Sequence, residues 1–170
     1  MPIKARITPC LWFDDQAEAA VNFYLSIFKN SRITQVTRYS EAGKEFHGRK
    51  PGTVLTVGFE LDGQPFTALN GGPQYHFTEA LSLQIDCKDQ AEVDYFWEKL
   101  SQGEGAKAME CGWLKDKYGL SWQVVPDGLM DMLADPDPAK SGRAMMAMMG
   151  MVKFDIAAIR MAYEGAAKNG

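Results

Sequence analysis

Apolar and polar positions alternate at the start of the chain, with Ile7, Pro9, Leu11 and Phe13 interleaved by Thr8, Cys10 and Trp12. That period belongs to a strand with one face on helices. It then lengthens: Ala17, Ala20, Val21, Tyr24, Leu25 and Phe28 recur at helical spacing behind Asp15 and Glu18, which stand as a capping pair. The β-branched, alternating run Arg32 to Tyr39 predicts a second strand. Ser40 to Gly52 is polar, carries Gly43, Gly48 and Gly52, and reads as a long mobile loop. Thr53 to Leu61 and Gln64 to Asn70 predict a hairpin around Asp62-Gly63, closed by Gly71, Gly72 and Pro73.

The same order returns further along. Val21, Asn22, Phe23 and Tyr24 are matched by Val93, Asp94, Tyr95 and Phe96, 72 positions on. Leu81 to Cys87 predicts a strand, and Asp89 with Glu92 opens a helix whose stripe is Val93, Phe96, Trp97 and Leu100. A stretch near Lys107, then Cys111 to Asp116 and Leu120 to Val125, supplies three more strands. The capping pairs are 74 apart, not 72, which implies a two-residue slip in the connection. Two copies with so long a period are not a solenoid. They predict an α+β protein of two βαβββ modules (first 5–72, second 78–128, together one domain over 1–128) with a ligand cleft between them.

The tail from 129 to 170 belongs to neither copy. Leu129, Met130 and Leu133 fit a helical turn or two before Pro136 and Pro138 break the run. Five methionines then lie between Met145 and Met151, ahead of the amphipathic segment Phe154 to Tyr163. Such a tail either packs on its own domain or docks on a partner subunit or the cleft mouth, because unbranched methionines adapt to irregular surfaces.

Composition narrows the classes. Hydrophobic residues make up 46% and charged residues 24%, a globular balance. Lys and Arg number 18 against 22 Asp and Glu, for a net charge of −4, with no basic face to track phosphates, so nucleic acid is not an expected partner. No apolar run approaches the ~18 residues of a membrane span. Cys10, Cys87 and Cys111 lack CxxC spacing and read as reduced thiols in a cytoplasmic protein.

The paired β-α-β-β-β order, with WFDDQAEAAVNFY in the first copy and LNGGPQYHFTEALSLQIDC at the junction, resembles the vicinal oxygen chelate superfamily of glyoxalase I, bleomycin-resistance proteins and extradiol dioxygenases. LNGGP (69–73), EALSL (79–83) and CGWLKDKYGLSWQVVPDGL (111–129) resemble its PhnB-like branch, whose members often carry the label 3-demethylubiquinone-9 3-methyltransferase domain. The resemblance implies a curved sheet around one cavity and, commonly, a homodimer. In metal-dependent members it also implies four inward positions, on the first and last strands of each module, holding a divalent ion through His and Glu. Carried over, those positions are Thr8, then Ala80 with Ser82 the next inward residue, and Thr67 and Gln123, four residues after Gly63 and Gly119. Hydroxyl and amide oxygens hold a catalytic divalent ion poorly. No metal or other cofactor is therefore expected, the alternative being a divalent metal on relocated ligands.

The leading expectation is a small molecule bound in the cleft by Thr8, Trp12, Thr67, Ser82, Gln84 and Gln123, with His47 reaching in from the loop. Gln84 and Gln123 would face each other across the cavity and either recognise a polar group or satisfy one another. Asp86 fits a helix-entry residue, and Lys115-Asp116 fits a solvated hairpin-end pair. Trp122 and Phe66 alternate away from Gln123 and Thr67, towards helices, and Ser121 has no base in view for a triad. Two alternatives stand: a metal-dependent lyase, isomerase or dioxygenase recruiting Glu45, His47 or His76, and an interaction module that uses the Met-rich tail. No Gly-rich strand-to-helix turn is present to cradle a nucleoside cofactor, so methyl transfer has no physical support at this level.

Overall fold

The computed structural model describes residues 6–165 as two compact units, divided between His76 and Phe77. In the first unit β1 (Cys10–Phe13), α1 (Ala17–Ile27), β2 (Arg32–Arg38), α2 (Lys44–His47), β3 (Val54–Leu61) and β4 (Gln64–Asn70) build one sheet of order β1-β4-β3-β2. β1 runs parallel to β4, and the other pairs are antiparallel. Leu11, Phe13, Val57, Phe59, Phe66 and Ala68 point to one face and are buried with Ala17, Ala20, Val21, Tyr24 and Ile27 of α1. Each Val, Leu, Ile or Phe among them contributes roughly 1.5–3 kcal/mol by leaving water. Phe59 and Phe66, opposite one another in the hairpin, stack at 5.4 Å. Asp62 and Gly63 both take positive φ, 48° and 82°, as a two-residue turn between twisted strands requires.

The predicted start of α1 differs in its chemistry. Neither Asp15 nor Glu18 caps it, and the amide of Ala17 donates instead to Asn70 Oδ1 of β4 at 2.8 Å. Asn70 Nδ2 donates to Val54 O at 3.1 Å, so one buried amide ties the helix start to two strands. The segment after β2 is also more ordered than its polar composition predicts. Tyr39 and Gly52–Thr53 exchange backbone hydrogen bonds at its base, and α2 forms within it between Gly43 and Gly48, both at positive φ.

In the second unit β5 (Ser82–Cys87), α3 (Gln90–Leu100), β6 (Lys107–Ala108), β7 (Trp113–Lys115) and β8 (Ser121–Pro126) repeat the plan with order β5-β8-β7-β6, β5 and β8 being parallel. Ile85, Cys87, Leu114, Trp122 and Val124 are buried on the α3 side with Val93 and Leu100. Here the local cap forms: Asp89 accepts from Glu92 N at 2.9 Å, and Glu92 accepts from Lys88 N at 3.0 Å.

The tail forms α4 (Leu129–Leu133), α5 (Pro138–Met149) and α6 (Ile156–Glu164) within the second unit. Leu129, Ala144, Phe154 and Ile159 bury against Val125 of β8. Pro138 does not break a helix but opens one, behind the Asp137 cap, where its missing N–H costs nothing. Cys111 and Gly112 donate to Met151 O and Val152 O at 2.9 and 2.8 Å, and Gln90 bonds both Phe154 O and Ile156 N. Gly112, at φ 75°, lies so close under Phe154 that a Cβ would meet the ring at 2.4 Å. Arg143 closes the tail by donating to the last carbonyls of α6, Ala162 O and Tyr163 O.

Candidate functional site

Each sheet has a second face, away from its helix. In the second unit strand alternation places Ser82, Gln84 and Asp86 of β5 on that face, beside Ser121 and Gln123 of β8 and Trp113 and Lys115 of β7. Gln84 and Gln123 are opposite partners in neighbouring parallel strands. They do not face each other across a cavity, because they share one sheet, and they do not satisfy one another. Gln123 Nε2 donates to Ser82 Oγ at 2.8 Å, and Gln84 Nε2 donates to Asp86 Oδ1 at 2.8 Å. Asp86, expected as a helix-entry residue, is thus an exposed member of this face. Lys115 pairs with Glu79, and that hydrogen bond holds the Glu79 carboxyl below its ordinary range. Ser121 is fully buried and its Oγ has no partner among the described residues.

Asp116 is a correction of another kind. It is completely buried rather than solvated, and accepts from Tyr118 N (2.8 Å), Leu120 N (3.1 Å) and Trp122 Nε1 (2.9 Å). It therefore holds the turn before β8 and the indole beneath Gln123. A side chain that spends its carboxylate on three N–H donors is a scaffold for the face, not part of it.

In the first unit the corresponding face carries Cys10 and Trp12 of β1 and Thr67 of β4, with Thr67 opposite Cys10. Thr8 is exposed and precedes the strand. Trp12 is fixed: its Nε1 donates to Gly72 O at 2.8 Å, its ring meets Tyr75 edge-on at 4.9 Å, and Gly71 leaves room that a Cβ would close to 2.2 Å. The thiol of Cys10 is pushed up by partial burial.

The strand registers settle how the two copies correspond. Thr67 lies opposite Cys10 and Gln123 lies opposite Gln84, an offset of 74 in the first strand, as in the capping pairs. Thr8 therefore corresponds to Ser82, while Ala80 precedes β5. The four central positions are Cys10, Thr67, Gln84 and Gln123. One thiol, one hydroxyl and two amides do not fit a divalent site of the imidazole and carboxylate kind. The loop residues do not repair this. His47 accepts at Nδ1 from Arg49 N and lies against the Tyr39 ring, with its buried Nε2 unpartnered among the described residues. Glu45 and His76 are exposed, and the described residues hold no group of three or more His, Cys, Asp or Glu able to bind an ion.

Residues 5–125 match the family model for 3-demethylubiquinone-9 3-methyltransferase. The chain belongs to that family. Its members share the vicinal oxygen chelate fold, as the PhnB-like sequence features imply. Among solved structures it is similar to the PhnB protein of Bacillus cereus, at 36% identity and a TM-score of 0.63, over 72% of this chain and 99% of that one. The fold is shared with protein PA1353 of Pseudomonas aeruginosa, at 14% identity and TM-score 0.57, over 72% and 98% of the two chains. It is also shared with the fosfomycin resistance protein FosX of Listeria monocytogenes, at 16% and 0.50, over 77% and 98%. No curated protein matches the sequence at a significant level. The helical tail lies beyond the matched segment. No helix among the described residues is long and apolar enough to cross a membrane.

Proposed function

We propose that this member of the family binds a neutral, polar small molecule on the sheet faces turned away from its helices, without a resident metal. The carrying observation is the arrangement of Gln84 and Gln123. Each amide spends one donor on a neighbour in its own sheet, Asp86 or Ser82, which fixes its plane, and each keeps its carbonyl oxygen for something else. Trp113, opposite Gln123, adds an aromatic surface beside them. Fixed amides next to an indole suit a ligand with hydroxyl, carbonyl or amide groups on an apolar frame. Thr67 and Trp12 offer a smaller version of the same chemistry on the first unit, and Thr8 flanks it.

The family description names a methyl transfer. The strand-to-helix turns here, Asp14–Gln16 and Lys88–Asp89, contain no glycine that would let a nucleoside cofactor approach the backbone, so binding is the better-supported reading.

The test is a 1H–15N titration with a mixture of small neutral amides, diols and hydroxyketones, read at the side-chain NH2 signals of Gln84 and Gln123. The account expects shared shifts that Gln123→Leu abolishes. Ligands that shift neither amide, or that bind only after a divalent ion is added, would overturn it.

A further inference from the structure

The first unit contains a cavity of about 500 Å³ beside the entry to α1, and none of Thr8, Cys10, Trp12 or Thr67 lines it. Its walls carry charge of both signs. Arg38 comes from the end of β2, Arg49 and Lys50 from the segment after α2, Asp15 from the turn before α1 and Glu18 from its first turn. Five charged groups of both signs around one cavity can pair with one another, though exposed pairs gain little. Only Arg49 is so engaged, with Asp14, which is not part of the lining (Nη2 to Oδ1, 3.4 Å). Arg38 donates one N–H to Gly52 O at 3.0 Å and keeps the rest of its fork. Arg38, Lys50, Asp15 and Glu18 have no ion-pair partner among the described residues.

Unpaired groups of opposite sign around one cavity favour a molecule that carries both signs. An anion alone gains the basic pole but meets the carboxylates; a cation alone meets the reverse. A ligand bearing both charges satisfies both poles at once, and because four of the five side chains are exposed, salt screens the attraction. The guanidinium fork of Arg38 suits a planar or tetrahedral oxyanion, and the cavity lies within the usual size range for small ligands. We propose that this cavity binds a small zwitterion, its carboxylate or phosphoryl group at Arg38, Arg49 and Lys50 and its ammonium at Asp15 and Glu18. The site is independent of the amide face of the second unit.

The experiment is a 1H–15N titration of the full chain with γ-aminobutyrate and with O-phosphoethanolamine, using butyrate, inorganic phosphate and butylamine as singly functional controls. Millimolar affinity is expected for at least one zwitterion. It should shift the amides of residues 15–18 and 48–53, and the zwitterion that binds identifies the oxyanion. Arg38→Gln and Glu18→Gln should each weaken that binding at least about fivefold while each control binds more weakly still. Both variants alter exposed side chains, and circular dichroism verifies their fold. Equal binding of butyrate or phosphate, unaffected by Glu18→Gln, would reduce the cavity to an anion site and overturn the proposal. So would the failure of both zwitterions to bind.

Discussion

The two units run the same order of elements, yet secure it differently. In the first, the crossover helix is capped from across the sheet by Asn70, and the hairpin turns on two residues, Asp62 and Gly63. In the second, the helix is capped from within by Asp89, and the longer turn before β8 is organised around the buried carboxylate of Asp116. A cap supplied from 53 residues away ties the helix start to the sheet, whereas a local cap involves the helix's own first turn alone. The lesson is that duplication preserves topology and apolar pattern, while each copy finds its own polar fastening. The copies differ most beneath the proposed ligand face: Asp116 anchors Trp122 directly before Gln123, and the first unit has Phe66, with no polar handle, directly before Thr67.

That contrast can be broken one residue at a time. Asp116→Ala strands three N–H donors, two of them in buried contacts, and should cost about 3–4 kcal/mol in chemical denaturation, the largest single effect. Asn70→Ala removes a helix cap and a buried strand contact together, at about 2–3 kcal/mol. Asp89→Ala, at an exposed helix end, should cost only about 1 kcal/mol. Equal losses at Asn70 and Asp89 would remove the distinction between long-range and local capping.

The cysteines give a smaller, pH-dependent test. Cys10 is exposed on the face away from α1, whereas Cys87 is buried on the α3 side and pushed up to about 12 from an ordinary 9.0, chiefly by that burial. Iodoacetamide should label Cys10 well before Cys87 in the folded protein. Between pH 9.0 and about 12 the unfolded chain loses the Cys87 proton while the folded one keeps it, so stability falls as pH rises through that window. Cys87→Val should flatten that part of the curve, and an unchanged slope would assign the alkaline loss elsewhere.

Most of the fold was legible because the apolar periods are clean: strand alternation in 64–70 and 82–87, and a helical stripe through Val93 and Leu100. What periodicity does not show is where a polar side chain finds its partner. Asn70 sits at a strand end, and nothing local marks it as the cap of a helix 53 residues earlier. Asp116 looks like any turn acid until Trp122 folds over it. The spacing of 72 between helix segments misplaced Ala80, although the 74 between capping pairs was also readable and is the true strand offset. Nothing local marks Arg38, Arg49 and Lys50, because their gathering around one cavity depends on the chain closing between Tyr39 and Gly52.

That recognition on the amide face rests on neutral side chains and not on a bound ion can be checked by native mass spectrometry of untagged protein purified without chelator or added metal. The expected result is a chain free of divalent metal, with any adduct held on the amide face an organic molecule lost in Gln123→Leu. One divalent ion held per chain, whose removal abolishes ligand binding, would contradict it.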